Sequence, residues 1–253
     1  MKKLATALVS AAAIMTMSTT AFAAENPAEV FDRVMEKNNT IQSAEIQSGV
    51  HSVILAKDVI PDGQMKVDMA MHAEMDMQDT TDLKYLAQVA SSILGQDSYS
   101  QVFYTDGYYY VDANGVKLKY PMPLEQIISS VQTGVNTSNM ESSYMKGISL
   151  NEVNGKRVLA YEANPKKLNK NVKEALGTVM NTLGTDVNLD MNIQEMKGAY
   201  VLDDNDYIIY MTNYIVYNME VLDQPMTCIT LMETEVQNPG EPVVVTLPST
   251  DGY

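Results

Sequence analysis

Between Met65 and Met77 an apolar side chain occupies every second position: Met65, Val67, Met69, Met71, Ala73, Met75 and Met77. Lys66, Asp68, His72, Glu74 and Asp76 fall between them. A period of two is the pattern of an extended strand, whose side chains point alternately to opposite sides. One side of this strand is dry, so the chain must build a sheet and then cover one face of it. Upstream, Ala44, Ile46, Val50 and Ile54 alternate in the same way, and Asp62-Gly63 marks a turn between the two runs. The spacing predicts a pair of long antiparallel strands.

Other segments fall into place around that pair. Asn26-Pro27 can cap and open a helix with Val30, Phe31, Val34 and Met35 on one face, running out near Asn38. Asp82 to Leu94 has helical spacing, with Leu83, Leu86, Ala90, Ile93 and Leu94 on one side before Gly95, and predicts a second helix. Gln101 to Thr105, Tyr108 to Asp112 and Val116 to Tyr120 are separated by Asp106-Gly107 and Asn114-Gly115, which supply the positive φ of two-residue hairpin turns. A third helix is expected after Pro121-Met-Pro123, with Leu124, Ile127, Ile128, Val131 and Val135 on one side.

Tyr144 to Glu152 and Arg157 to Ala163 flank Asn154-Gly155 and read as another hairpin. Asn164-Pro165 opens a fourth helix, with Leu168, Val172, Leu176, Val179 and Leu183 inward and Gly184 as its stop. The remainder reads as strand: Val187 to Tyr200, Tyr207 to Val221, Met226 to Val236, and a short edge strand from Val243 to Leu247. The expected fold is α+β: a large curved antiparallel sheet, a half-barrel of about ten or eleven strands, with about four short helices packed on its concave face.

The first residues suggest where the chain works. Lys2 and Lys3 precede an uncharged, largely apolar run to Thr20, then Ala21-Phe22-Ala23, the small-x-small form of a signal-peptidase site. Residues 1–23 are expected to be a cleaved signal peptide and 24–253 a single exported domain. No Cys follows the cleavage point to carry a lipid anchor, and no later stretch is long and apolar enough to span a membrane. Loss of Lys2 and Lys3 deepens the net charge from −15 to −17, which excludes nucleic acid as a partner. The lone Cys228 cannot form an internal disulfide and reads as a buried, inert thiol in a strand.

The opening helix, the two long alternating strands, the helices interrupting a large antiparallel sheet and the three final long strands together resemble the LolA/LppX-like lipoprotein-carrier fold. More narrowly, the stripe Met65 to Met77, the Tyr108-Tyr-Tyr-Val-Asp-Ala-Asn-Gly115 hairpin and the Val243 to Pro248 ending are similar to an uncharacterised family of Met-rich exported Gram-positive proteins. The resemblance implies a bent sheet wrapped around helices, with an apolar cavity for acyl chains. Many relatives are anchored lipoproteins, and this chain lacks the anchoring Cys.

Three readings of the Met stripe follow. It can be plain core under the helix from Pro165 to Leu183. Its flexible thioethers can line a cavity for apolar guests of varied shape. Soft thioethers also suit Cu(I), although His51 and His72 form no local motif with them and His72 points away from the stripe. The cavity reading gives a ligand-lining set of Met65, Val67, Met69, Met71, Met75 and Met77 with Leu189, Met191 and Ile193, and no cofactor or metal.

Tyrosine is also enriched, with 15 Tyr against 3 Phe and no Trp, which suits a sheet with one wet face or a sugar-stacking or partner surface. Asp203-Asp204-Asn205-Asp206 reads as a hairpin turn rather than a Ca²⁺ loop, because the sixth place holds Ile208 where a Gly is needed. No G-x-S-x-G, H-E-x-x-H, phosphate loop or dinucleotide fingerprint occurs, so the reading is non-catalytic. The expected function is binding of a lipid or other hydrophobic small molecule by an exported carrier-like protein. The alternative is a secreted structural or interaction module with a filled interior, whose Tyr-rich strands meet a cell-envelope protein.

Overall fold

The computed structural model describes residues 25–56, 60, 62–79, 83–124, 126, 140–170, 191–221 and 224–253. Helix α1, Pro27–Asn38, begins where Asn26 Oδ1 accepts the Ala28 N–H at 3.1 Å and Pro27 takes the first helical position, where no N–H is needed. Val30, Phe31, Val34 and Met35 recur at helical spacing and are all buried. Burial of such side chains stabilises by about 1.5–3 kcal/mol each.

The strands are β1 (Ser43–Leu55), β2 (Gln64–Asp76), β3 (Lys84–Ile93), β4 (Gln96–Thr105), β5 (Tyr108–Ala113), β6 (Val116–Pro121), β7 (Met145–Val153), β8 (Lys156–Ala163), β9 (Met191–Leu202), β10 (Ile208–Val221) and β11 (Gln224–Gln237). They form one 11-stranded sheet in the order β6-β5-β4-β3-β2-β1-β11-β10-β9-β8-β7. Every pairing among the described residues is antiparallel, and there β6 and β7 form the two edges, so the sheet is open. The long-range pairing of β1 with β11 joins an N-terminal meander to a C-terminal one.

Turn chemistry sets most of the registers. Asp106-Gly107, Asn114-Gly115 and Asn154-Gly155 all have positive φ at both residues, as two-residue hairpins require. Asp203 Oδ1 accepts the N–H groups of Asn205 (2.9 Å) and Tyr207 (2.8 Å), so the Asp203 to Asp206 segment is a hairpin turn held by its own side chain.

Residues 84–93 are a strand, not the helix that the Leu83, Leu86, Ala90, Ile93 spacing predicts. Tyr85, Ala87, Val89, Ser91 and Ile93 also fit a period of two, and both edges of β3 are paired, to β2 and to β4. Tertiary pairing decides between the two periods. Gly95 is accordingly part of a hairpin turn with Leu94, and not a helix stop.

Four helices are not matched. Among the described residues the fully bounded helices are α1 and the single 3₁₀ turn Ser142–Tyr144. Of the expected third helix, residues 124 and 126 are helical, and 125 and 127–139 lie outside the described residues. Of the fourth, 165–170 are helical: Asn164 Oδ1 caps the N–H groups of Lys166 (3.1 Å) and Lys167 (3.4 Å), and 171–183 lie outside the described residues. The expected signal segment 1–23 and residues 187–190 also lie outside them.

Val243 to Leu247 is not a strand. It lies against Leu86, Phe103 and Tyr110, with Val245 buried, and Tyr253 stands edge-on to Phe103 (5.5 Å) and Tyr110 (5.3 Å). This segment is held by side-chain packing, without a ladder of hydrogen bonds.

Candidate functional site

Directly paired residues of an antiparallel sheet share a face, so the registers show which side chains stand together. One row runs Met65, Ile54, Cys228, Tyr217, Ile193 across β2, β1, β11, β10 and β9. The next but one runs Met69, Val50, Met232, Asn213, Gly198, Tyr161, and the following one Met71, Ser48, Thr234, Met211, Tyr200, Leu159. The Met stripe of β2 is therefore one margin of a face that spans the whole sheet. Every methionine in the described strands stands on it: the four of β2, and Met145, Met191, Met196, Met211, Met219, Met226 and Met232.

This face is covered at one end. Helix α1 packs Val30, Phe31, Val34 and Met35 onto Leu150, Leu159, Tyr161, Tyr200, Leu202 and Ile208 of β7 to β10. A quartet of charges fixes it there. Arg33 Nε donates to Asp206 at 2.9 Å and Arg33 Nη2 to Glu25 at 2.8 Å, while Arg157 donates to the same two carboxylates. Leu168 covers Ile193, Ile215 and Tyr217, and Asn169 bonds both the N–H and the C=O of Ile193, at 2.6 and 2.9 Å. The described turns of that helix thus reach the Met-bearing face at β9 and β10, and not the stripe itself.

The other end of the face is open. Met69 is 39% exposed, and Ile93, Val116, Leu118 and Tyr120 on the same face are also exposed. Between them Met65, Val67, Met71 and Val89 are half-buried. Hydroxyl groups in the central rows satisfy one another, Ser48 with Thr234 at 2.5 Å and Ser52 with Thr230 at 2.9 Å, so the floor is apolar in character.

The sequence-derived set divides accordingly. Met65, Val67, Met69, Met71 and Met191 are half-buried or exposed on the shared face. Met75 and Met77 are closed off in a cluster with Ala44, Leu83, Tyr104 and Val236. Ile193 is sealed by Leu168, and Leu189 lies outside the described residues. Met65 and Ile193 share a row, yet four strand spacings separate them, about 19 Å. Sequence reasoning missed Met196, Met211, Met219, Met226 and Met232. The only signal for them was alternation within β9 to β11, which is blurred because β10 is apolar on both sides.

Cys228 is buried on this face, 3.6 Å from the Met219 sulfur, and burial pushes its thiol pKa up, which keeps it protonated and unreactive. The row of Met75 ends in tyrosines: Tyr85, Tyr104, Tyr109 and Tyr120 pair in turn across β3 to β6. Burial, with Tyr109 adding a smaller contribution, raises the Tyr85 pKa to about 12.

The opposite face is polar over β1 and β2. His51 Nδ1 lies 2.7 Å from Asp68, and His72 Nε2 lies 3.1 Å from Glu74. A shallow depression of about 540 Å³ there is lined by His51, Asp68, Ala70, Ala90, Asp97 and Tyr99 among others. Among the described residues no group of three or more His, Cys, Asp or Glu side chains is placed to hold a metal ion, and no helix is long and apolar enough to cross a membrane.

No curated protein matches the chain by sequence. In structure it is similar to the lipoprotein LppX of Mycobacterium tuberculosis, at 9% identity over 88% of this chain and 100% of that one, with a TM-score of 0.38. LprF of Mycobacterium bovis aligns at 9% identity over 88% of this chain and 97% of that one, with a TM-score of 0.35. A β-barrel-like protein of unknown function from Brucella abortus aligns at 11% identity over 79% of this chain and 100% of that one, with a TM-score of 0.26. Residues 26–248 match a single family profile, and the chain belongs to that family, the family of unknown function DUF6612.

Proposed function

We propose that this is an exported, non-catalytic binding protein for an apolar or amphiphilic molecule, held in the open half of the Met-bearing face. One observation carries the reading: every methionine of the described strands is on one side of the sheet, and that side is covered by α1 at β7 to β10 while Met69, Ile93 and Leu118 remain exposed at β2 to β6. A sheet face that served only as core would be sealed along its length. Unbranched thioether side chains repack around guests of different shape at little cost, which fits a binding surface better than a fixed core. In this reading the sheet curves as a half-barrel around the guest, and Met65, Val67, Met69, Met71 and Met191 line it. Residues 1–23 direct export, and 24–253 act as one domain.

The test is saturable binding of a fluorescent fatty acid analogue, read beside native mass spectrometry of protein purified from its own host. Binding driven by apolar burial depends little on salt. Met71 and Met191 replaced together by Phe add volume to the face and lower the affinity in a folded protein. Unchanged affinity in that folded double variant removes both residues from the site. No saturable binding by the wild type, and no co-purified amphiphile, would favour the interaction module instead.

A further inference from the structure

The hairpins β1/β2, β3/β4 and β5/β6 all turn at the same end of the sheet, because the six strands form one antiparallel meander. Four large exposed apolar side chains stand at that end, while Tyr108 and Tyr120 are exposed at the opposite end and Val244 in the C-terminal segment. Leu94 at the tip of β3/β4 is 69% exposed, Ile93 beside it 43%, Val116 at the tip of β5/β6 61%, and Leu55 at the end of β1 is exposed as well.

Leu94 is also in the wrong conformation for its residue type. It sits at φ 53°, the first central position of a two-residue turn, where the other three such turns among the described residues carry Asp106, Asn114 and Asn154. Asn and Asp tolerate this left-handed region, and a branched aliphatic side chain does not. The turn therefore holds a residue that destabilises it twice, by strain and by exposing apolar surface to water. Strain retained at an exposed position points to a function.

We propose that this end of the sheet, led by Leu94 and Val116, docks on the surface of a zwitterionic lipid bilayer. Three features favour lipid over a protein partner. The tips form a row of separate projections, with the β3/β4 and β5/β6 turns two strand spacings apart, about 10 Å, and a fluid interface accepts such projections without shape complementarity. A Cβ added at Gly95 or Gly115 would meet nothing within 4 Å, so both tips stand clear of the chain. Ile93 and Val116 lie on the Met-bearing face, so the docked end opens directly onto Val67 and Met69. The acidic chain selects a zwitterionic over an anionic surface. The choice of lipid rests on the proposed function above.

The chain contains no Trp, so Leu94→Trp places one indole at the tip. On addition of phosphatidylcholine vesicles its emission shifts to the blue and the protein floats with the vesicles. Leu94→Asn gives the turn a residue suited to its φ, so the melting temperature holds or rises by about 2–4 °C, while flotation falls about tenfold. An unshifted emission with lipid in excess, or flotation of Leu94→Asn equal to wild type, overturns the proposal. So does a wild-type dimer that Leu94→Asn dissolves, which assigns the tips to a second copy. The Met71 and Met191 double variant separates the two readings. It floats normally if docking is right, whatever becomes of fatty acid binding, and fatty acid binding with no flotation leaves the binding face standing and ends the docking proposal alone.

Discussion

Tyr161 donates its hydroxyl hydrogen to Oδ1 of Asn213 across the backbone of Gly198, linking β8 to β10 over the strand between them. The Tyr161 ring stacks on Tyr200 at 5.2 Å and meets Phe31 of α1 edge-on at 5.8 Å, so the bond lies directly beneath the helix. A side chain at position 198 has no room. Its Cβ would stand 2.5 Å from both Asn213 Oδ1 and the Thr212 carbonyl oxygen, and 2.8 Å from the Tyr161 hydroxyl. Gly198→Ala is therefore expected to cost about 1–3 kcal/mol, read as a lower urea midpoint. Gly49→Ala is the control, since its Cβ would meet only His51 Nε2, at 3.9 Å, and its midpoint should hold or rise. Equal midpoints for the two variants would contradict this account of Gly198.

Asp206 joins the β9/β10 turn to α1 and β8 by accepting from Arg33 and Arg157 at once, with its side chain 16% exposed. Asp206→Ala leaves two guanidinium groups short of a partner. The expected cost is about 1–3 kcal/mol, with faster amide exchange in α1. Arg33→Ala removes a side chain that is half exposed and should cost less than about 1 kcal/mol. If both substitutions cost the same, Asp206 does not act as the shared acceptor.

Much of this architecture can be read directly from the chain, and the limits have physical causes. Hairpins announce themselves because Asp106-Gly107, Asn114-Gly115 and Asn154-Gly155 are local signals for a left-handed turn, and α1 does because Asn26, Pro27 and its apolar stripe agree. Residues 84–93 satisfy two periods at once, and only pairing with β2 and β4, which no local pattern reports, selects the strand. Leu94 hid the turn because it stands where Asn or Asp is expected. One margin of the Met-bearing face was legible as the β2 stripe, with four of its eleven described strand methionines. The rest depends on β1 pairing with β11, a contact between segments far apart in sequence that brings Met232 and Met211 into the rows of Met69 and Met71.

Alkaline pH should weaken the fold through its buried tyrosines. Burial raises Tyr85 and Tyr200 to about 12, and Tyr161 in the same direction, whereas an unfolded chain loses these protons near 10. Between those values the native state binds more protons than the unfolded one, so stability falls as pH rises, by about 1.4 kcal/mol per pH unit for each such tyrosine. Below pH 10 the contribution is complete and flat. Tyrosinate absorbance of the native protein should show these groups titrating late, and Tyr200→Phe should flatten the decline by one proton's share. A decline of equal slope in that variant would remove Tyr200 from the set.

Graded exposure of the methionines makes peroxide a probe of the proposed binding face. Met69 is 39% exposed, while Met75 is 2% and Met77 4% exposed in the cluster around Leu83 and Tyr104. Thioether oxidation follows access, so peptide mapping after dilute hydrogen peroxide should find sulfoxide at Met69 first, at Met65 and Met71 next, and at Met75 and Met77 last. An apolar guest on that face should slow Met69, Met65 and Met71 together and leave the already sheltered Met75 unchanged. Sulfoxide is polar, so the oxidised protein should bind the fatty acid analogue more weakly while β1 and β2 stay paired, since the oxidised groups lie outside the Met75 cluster. Protection of Met75 in place of Met69 would move the guest to the covered end of the sheet, and equal oxidation rates with and without analogue at saturating concentration would separate the Met-bearing face from ligand binding altogether.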